Sequence, residues 1–587
     1  MSGFVGTCRA DLRMISRFIH VGPSFGITFG SAGHLGLMKK SWVSISGLGL
    51  TFLLAACSSN TPGSPGTAGA PNGTAGVPNG TAGAPNGTAG APNGTAGAGD
   101  GTAGAASGTA GAGDGTGGVT GGAGAPGNTA GSGNSAGAAA LPRLVTSADK
   151  AFWKTDGMLT EVTTGTADVT VNDASAAQTW EGFGGAFNEL GWKYLMTLSE
   201  TERTKALTLL FGDDGARFTL GRIPIGASDY ALTRYTLNET AGDTAMASFS
   251  IDHDQTYLLP YVKAAKAVRP GIHFWASPWT PPTWMKSAPY QAGNVSSPFD
   301  GGTMKSDDAT LEAHANYFVK FVKAYGAEGI KIEAVAPQNE PNFGQNYPSC
   351  LWGTDTFVKF VGKFLGPAMK TASPDTAIML GTMSNGDSGK DPAIVTAVLA
   401  DATAKSFIKM IGLQWGMLGK EAGAKASGLP MWQTEHKCGN YPWVTGSYKP
   451  TAPNDLAYGQ ESWGLIRDWI KAGVSSYSAW NMVLDPVGKG NDTTRDWAQN
   501  ALILVDGSKL VLTPTYYVFR HLSQFVEPGA KVVATTGGEA LAFKNPNGKI
   551  VTVLYNSGAA KTVIVSAGGK MFSFAMPGAG WATVTTP

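Results

Sequence analysis

The chain is poor in net charge, in cysteine and in long apolar runs. Its 587 residues carry 43 Lys and Arg against 42 Asp and Glu, a net charge of +1. That balance offers no basic field for a nucleic acid and no acidic field for cations. A neutral partner such as a sugar or a lipid fits it better. Four cysteines leave little scope for a disulfide framework, and no cluster of His, Cys and carboxylates has metal-ligand spacing. Neither a metal nor any other cofactor is therefore expected. The segment Gly182-Phe183-Gly184-Gly185 has the wrong spacing for a dinucleotide loop. The longest apolar run, residues 42–56, falls short of the roughly 18 to 20 residues that span a bilayer.

What is present begins with a leader. Met38-Lys39-Lys40 and the apolar run after it read as a signal sequence with its own start, which makes residues 1–37 an over-extended gene start. The run ends in Leu54-Ala55-Ala56-Cys57, small residues before a cysteine, which resembles the bacterial lipoprotein signal. On this reading Cys57 is lipidated, and the protein is exported to the cell envelope or secreted. Glycine supplies 82 residues, and its excess lies in residues 58–140, where Gly-Thr-Ala-Gly-Ala-Pro-Asn recurs from Gly66. Such a composition has no apolar surface to offset its conformational entropy. We expect a disordered tether reaching roughly 50 Å. Its Asn-Gly-Thr triplets at Asn72, Asn79, Asn86 and Asn93 read as linker composition.

Residues 141–587 are long enough for one large domain and a smaller companion. Both ends of this region, 141–175 and 516–587, alternate apolar and polar residues in short segments punctuated by turns such as Pro546-Asn547-Gly548. They predict one small β-sandwich built from both ends. Between them, 176–515, eight candidate strands fall at 180–184, 218–223, 272–277, 332–338, 377–382, 411–415, 431–434 and 476–480. Amphipathic stretches such as 311–325, 356–369 and 457–471 separate them. The expected fold class is α/β, a (β/α)8 TIM barrel with that sandwich beside it.

In such a barrel the strand C-termini carry function. The fourth strand runs into Gln338-Asn339-Glu340-Pro341, where Pro341 forbids continuation and presents Glu340. The seventh repeats the pattern in Met431-Trp432-Gln433-Thr434-Glu435. Other strand ends supply Arg222, Asp229, Trp279, Gln414, Trp480 and Asn481. Flat indole faces stack on pyranose rings and short polar side chains bind hydroxyls, so the inventory is that of a sugar site. Two glutamates across it suggest glycoside hydrolysis, in which an acid protonates the leaving oxygen while a carboxylate attacks the anomeric carbon or activates water. A barrel that binds sugar without cleaving it is the reading from another class. Cys350 and Cys438 each closely follow one of these glutamates and either pair as a disulfide or remain two buried thiols. His436 either tunes Glu435 or is a satisfied core histidine.

Six segments resemble one family specifically. They are 180–187 (Trp-Glu-Gly-Phe-Gly-Gly-Ala-Phe), 222–230 (Arg-Ile-Pro-Ile-Gly-Ala-Ser-Asp-Tyr), 276–286 (Ala-Ser-Pro-Trp-Thr-Pro-Pro-Thr-Trp-Met-Lys), 338–341, 347–351 (Tyr-Pro-Ser-Cys-Leu) and 479–481 (Ala-Trp-Asn). In that order they are similar to glycoside hydrolase family 30, which contains glucosylceramidases and β-1,6-glucanases. The resemblance implies a retaining double displacement with Glu340 as acid/base and Glu435 as nucleophile. It further implies that Asp229, Trp279, Asn339 and Trp480 line the sugar subsite, with Arg222 supporting them. The chain departs from the glucosylceramidase pattern at Gln414, where that branch has His, and at Gly416, where it has an aromatic. These departures bear on the substrate rather than the chemistry. The expected partner is a β-linked glucoside, as a glycolipid or a polysaccharide.

Overall fold

A computed structural model describes residues 143–290, 297–437, 439, 449, 451–492 and 498–587. The leader, Cys57, the glycine-rich tether and Cys438 lie outside the described residues.

Eight parallel strands close into a barrel in sequence order. They are Gly182–Ala186, Leu220–Pro224, His273–Ser277, Ile332–Val335, Ala377–Met383, Ile408–Gln414, Met431–Glu435 and Ser476–Asn481. All eight fall where the apolar runs predict them. The fourth is shorter than expected, because Pro337 has no N–H to continue the ladder. Pairing ends as Ala336 N–H donates to Ala276 O at 2.9 Å, and residues 337–340 leave the sheet at the barrel mouth. Glycine in the first strand has a steric reason: a Cβ on Gly184 would stand 2.2 Å from Leu220 O.

The barrel interior is filled, not hollow. Leu220, Trp275, Ala334, Ala336, Met379 and Trp432 form one buried cluster. Trp275 and Trp432 meet edge to face at 6.5 Å, so both are packing residues, and the open chemistry is confined to the strand C-termini.

Helices cover the outside and begin where side-chain oxygens cap free N–H groups. Asp307 accepts from Thr310 N–H at the start of Asp308–Ala327, and Asp455 from Tyr458 N–H at the start of Leu456–Ala472. Left-handed Gly473 ends the latter. The stretch expected at 356–369 runs from Thr354–Lys359 through a π-helical turn, Phe360–Leu365, into Gly366–Ala372. Pro367 cannot donate to the preceding turn, and the wider turn accommodates it.

The boundaries expected at 175 and 515 fall inside elements. Strand Val169–Thr179 crosses the first. Helix Pro514–Ser523 crosses the second, capped by Thr513, and it packs on Leu456–Ala472 as the last barrel helix. Its Phe519 lies edge-on to Phe218, while its His521 bonds Thr583 and Ser147 of the sandwich, each at 2.8 Å. Ten strands form the companion domain in one continuous ladder, with Leu144–Ala148, Ala151–Lys154, Thr160–Val162 and Val169–Thr179 from the front and six strands from Lys531–Thr536 to Gly580–Thr586 from the rear. Val169–Thr179 breaks register against Lys531–Thr536 between Asn172 and Ala176. Val169, Val533, Val565, Phe574 and Val584 share the resulting core.

Candidate active site

Arg222, on the second strand, organises the mouth. Its guanidinium donates to Glu435 Oε2 at 2.5 Å, to Asn339 Oδ1 at 2.6 Å and to Ser277 Oγ at 3.1 and 3.3 Å. Its flat face lies 4.3 Å from the Trp279 ring centroid, and Trp279 stacks on Trp480 at 5.3 Å. A planar, permanently charged fork is the group that can do all of this at once. Burial pulls Arg222 below its ordinary value, and the charges of Glu435, Glu340 and Asp229 work against that pull. One buried cation thus lies among three carboxyl groups.

Gln414 completes the network. Its Nε2 donates to Asn339 Oδ1 at 2.8 Å and to Glu435 Oε2 at 3.2 Å. Both partners are acceptors, which fixes the amide's orientation and leaves Gln414 Oε1 without a protein partner. Asn339 Oδ1 also accepts from Thr382 Oγ1 at 3.1 Å. With its oxygen held by Arg222, Gln414 and Thr382, Asn339 has its Nδ2 as the group to offer a substrate hydroxyl.

Glu340 sits in a different environment. Its backbone is left-handed, φ +50°, a conformation a non-glycine residue keeps only when its surroundings enforce it. Glu340 N–H donates to Thr382 O at 3.1 Å, and Tyr347 Oη donates to its Oε2 at 3.2 Å. Burial raises its carboxyl well above the ordinary 4.5, and the charges of Glu435 and Asp229 add to this. Glu435, by contrast, accepts from two N–H donors, Arg222 and Gln414. Each glutamate is 6% exposed, enough to meet a substrate. Environments that separate two carboxyl groups in this way equip one as acid and the other as nucleophile or base.

The structure therefore brings Arg222, Trp279, Asn339, Glu340, Gln414, Glu435 and Trp480 together, with Asp229 coupled to them by charge. Asn481 stands behind them, its Oδ1 accepting from Asn188 at 3.1 Å and its Nδ2 donating to Gln499 at 3.1 Å. Both ends of its amide are thus engaged by protein, so it supports the site. Gln499 Oε1 also accepts from Trp480 Nε1 at 2.8 Å. His436 bonds Tyr477 Oη at 2.6 Å and Ser462 Oγ at 3.0 Å, with burial holding its pKa down at about 3. It is a neutral, satisfied core histidine. Cys350 is a buried free thiol, pushed up to about 12 by burial, and Cys438, the partner considered for it, lies outside the described residues. Cys350 belongs to the main buried apolar cluster, and the nearby Lys286 ammonium offsets part of that rise.

Ser277, Thr382, Tyr347 and Gln499 were not singled out by residue type. Ser277 and Thr382 end the third strand and nearly end the fifth, a position that could have marked them. Arg234 gave no such signal. It forks onto Asp300 at 2.8 and 3.0 Å and donates to Asn346 O at 2.8 Å and Asn491 O at 3.2 Å. Asn491 in turn donates to Asp229 O at 2.8 Å, so Arg234 ties the Asp229 and Tyr347 loops together. Arg234→Met strands the buried Asp300 carboxylate and is expected to cost about 3 kcal/mol of unfolding free energy, read by denaturant titration. Arg234→Lys should recover only part, since it cannot fork.

Comparison with known proteins agrees with this geometry. Residues 180–526 match the glycosyl hydrolase family 30 TIM-barrel domain, and residues 529–584 match the family 30 beta sandwich domain. The lysosomal acid glucosylceramidase of Mus musculus is 28% identical over 426 residues, covering 66% of this chain and 77% of its own. An endo-1,6-beta-D-glucanase of Aspergillus fumigatus is 26% identical over 423 residues, covering 67% of this chain and 82% of its own. The solved endo-beta1,6-glucanase BT3312 superposes with a TM-score of 0.65 at 26% identity, over 76% of this chain and 99% of that one. With both domain models matched in order and the first spanning more than half of its length, the chain is a glycoside hydrolase and belongs to glycosyl hydrolase family 30.

Proposed function

We propose that the chain hydrolyses β-glucosidic bonds with retention, using Glu340 as acid/base and Glu435 as nucleophile. The observation that carries this reading is the asymmetry of the two carboxyl groups. Glu435 Oε2 accepts from Arg222 and Gln414, whereas Glu340 is buried, faces two negative charges and is held by a phenol hydroxyl. In the first displacement Glu340 gives its proton to the glycosidic oxygen while Glu435 attacks the anomeric carbon. In the second Glu340 takes a proton from water, which attacks the glycosyl-enzyme ester and frees Glu435. Asn339 Nδ2 donates to the sugar 2-hydroxyl, and Trp279 and Trp480 wall the ring. Retention is read by proton NMR of early product: the β-anomer of glucose must appear first, and α-glucose as first product sinks the double displacement.

Two substrate classes follow from the relatives. A glucosylceramide-type glycolipid is the first, by likeness to the glucosylceramidases. A β-1,6-linked glucan is the second, favoured by an exposed aromatic side chain beside Glu340. We further propose that lipidation of Cys57 and the glycine-rich tether hold the enzyme outside the cell, at the envelope surface. Cys57→Ser should then carry no lipid, scored by labelled fatty acid incorporation, and equal labelling of the variant would remove the anchor from the reading.

A further inference from the structure

The ring of strands divides the mouth in two. The eighth, first, second and third strands are neighbours, and they or the loops after them carry Trp480, Arg222, Asp229 and Trp279. Glu340, after the fourth strand, and Glu435, at the end of the seventh, mark the borders. The rim that remains belongs to the fifth and sixth strands.

A rigid turn is anchored on that rim. Phe343 N–H donates to Glu340 O at 2.9 Å, closing residues 340–343, and Trp352 N–H donates to Pro341 O at 2.8 Å. Asn342 Nδ2 donates to Asp391 Oδ1 at 2.6 Å. Asp391 Oδ2 accepts from the N–H groups of Ser384 and Asn385, directly after the fifth strand, both at 2.7 Å. Pro341 and Asn342 are thus engaged by protein. Phe343 is 38% exposed, the only exposed Phe, Tyr or Trp among the described residues. Half-buried Trp415 follows the sixth strand on the same rim.

We propose that Phe343 is the platform of a leaving-group subsite, stacking on the second pyranose ring of a β-linked glucan just beyond the bond that Glu340 protonates. This deepens the function proposed above and rests on it. Arg222, Asp229, Trp279 and Trp480 occupy the opposite half of the mouth, with Asn339 at its border and Gln414 turned inward onto Asn339 and Glu435, so the departing group leaves over the fifth and sixth strands. A single flat ring on a fixed turn suits the apolar face of one sugar ring. A lipid chain calls for a contiguous apolar patch. The other large exposed apolar side chains among the described residues are Met158, Met196, Val487 and Val511, none of them on this rim.

The test compares kcat/KM of the full chain and of Phe343→Ala on three substrates. They are a β-1,6-linked glucan oligosaccharide, glucosylceramide in detergent micelles, and β-glucosyl fluoride, whose departing group has no ring. The glucan-to-fluoride ratio is expected to fall about 5- to 10-fold in Phe343→Ala and to return in Phe343→Trp. An unaltered ratio with fluoride still turned over overturns the subsite alone. A fall confined to glucosylceramide also overturns it and assigns the rim to a lipid chain. A parent protein that leaves the fluoride intact defeats the hydrolytic reading, and the subsite falls with it.

Discussion

Glu435→Gln is expected to lower kcat by about four orders of magnitude or more on any β-glucoside the parent cleaves. The amide is isosteric and remains within reach of Arg222, so the fold should persist. Its charge and its nucleophilic lone pair are gone, and no glycosyl-enzyme ester can form. The loss corresponds to about 5.5 kcal/mol of transition-state stabilisation. Because the charge of Asp229 also acts on Arg222, the cation retains a counter-ion in the variant. Thermal unfolding of Glu435→Gln should therefore stay close to the parent's while turnover collapses. A second arm identifies the role. Glu435→Ala with added azide should yield glucosyl azide of inverted, α configuration, because the small anion enters from the face that Glu435 vacates. Turnover of Glu435→Gln at the parent rate would refute the assignment.

Glu340→Gln should behave differently, and the difference depends on the leaving group. A sugar or alkoxide needs a proton as it departs, and loss of the general acid is expected to cost about 10² to 10⁴ in kcat/KM. Fluoride needs far less help, so the first step survives while the second, which needs a base, slows. A burst of fluoride followed by slow turnover is the expected trace. The pH profile carries the same information. Burial and the charges of Glu435 and Asp229 raise Glu340 above 4.5, so the folded protein keeps this proton at pH values where the unfolded chain has lost it. Activity on sugar leaving groups is present below the raised value and lost as pH rises through it. Stability follows the same sign: across the interval from 4.5 to the raised value it declines as pH rises, and Glu340→Gln removes that part of the decline. A parent profile whose basic limb persists unchanged in Glu340→Gln would assign the proton to another group.

Much of this was legible in the chain before it folded. Strand positions follow from apolar runs of the right length, and helices at 311–325 and 457–471 from amphipathic stretches. These are local effects: a side chain capping its own helix or a proline lacking an N–H acts within a few residues. Glu340 and Glu435 were legible for the same reason, each standing at the end of an apolar strand. Errors arose where local signals competed. The fourth strand stopped at Val335 because Pro337 outweighed the apolar pattern around it, and the boundary expected at 515 fell inside helix Pro514–Ser523.

By itself, then, the sequence determined a barrel of eight units, a sandwich drawn from both ends of the globular region and a pair of carboxylates at one mouth. Tertiary structure alone decided what surrounds each of those carboxylates. Closing the ring brings Arg222 against Glu435 and Asn339, Gln414 between the same two, and Tyr347 onto Glu340, and it sets Asn481 behind the site with Gln499. Strand order says which end a residue occupies. A proton's affinity depends on donors and charges within a few ångströms, on burial, and on residues hundreds of positions apart that become neighbours only when the barrel closes.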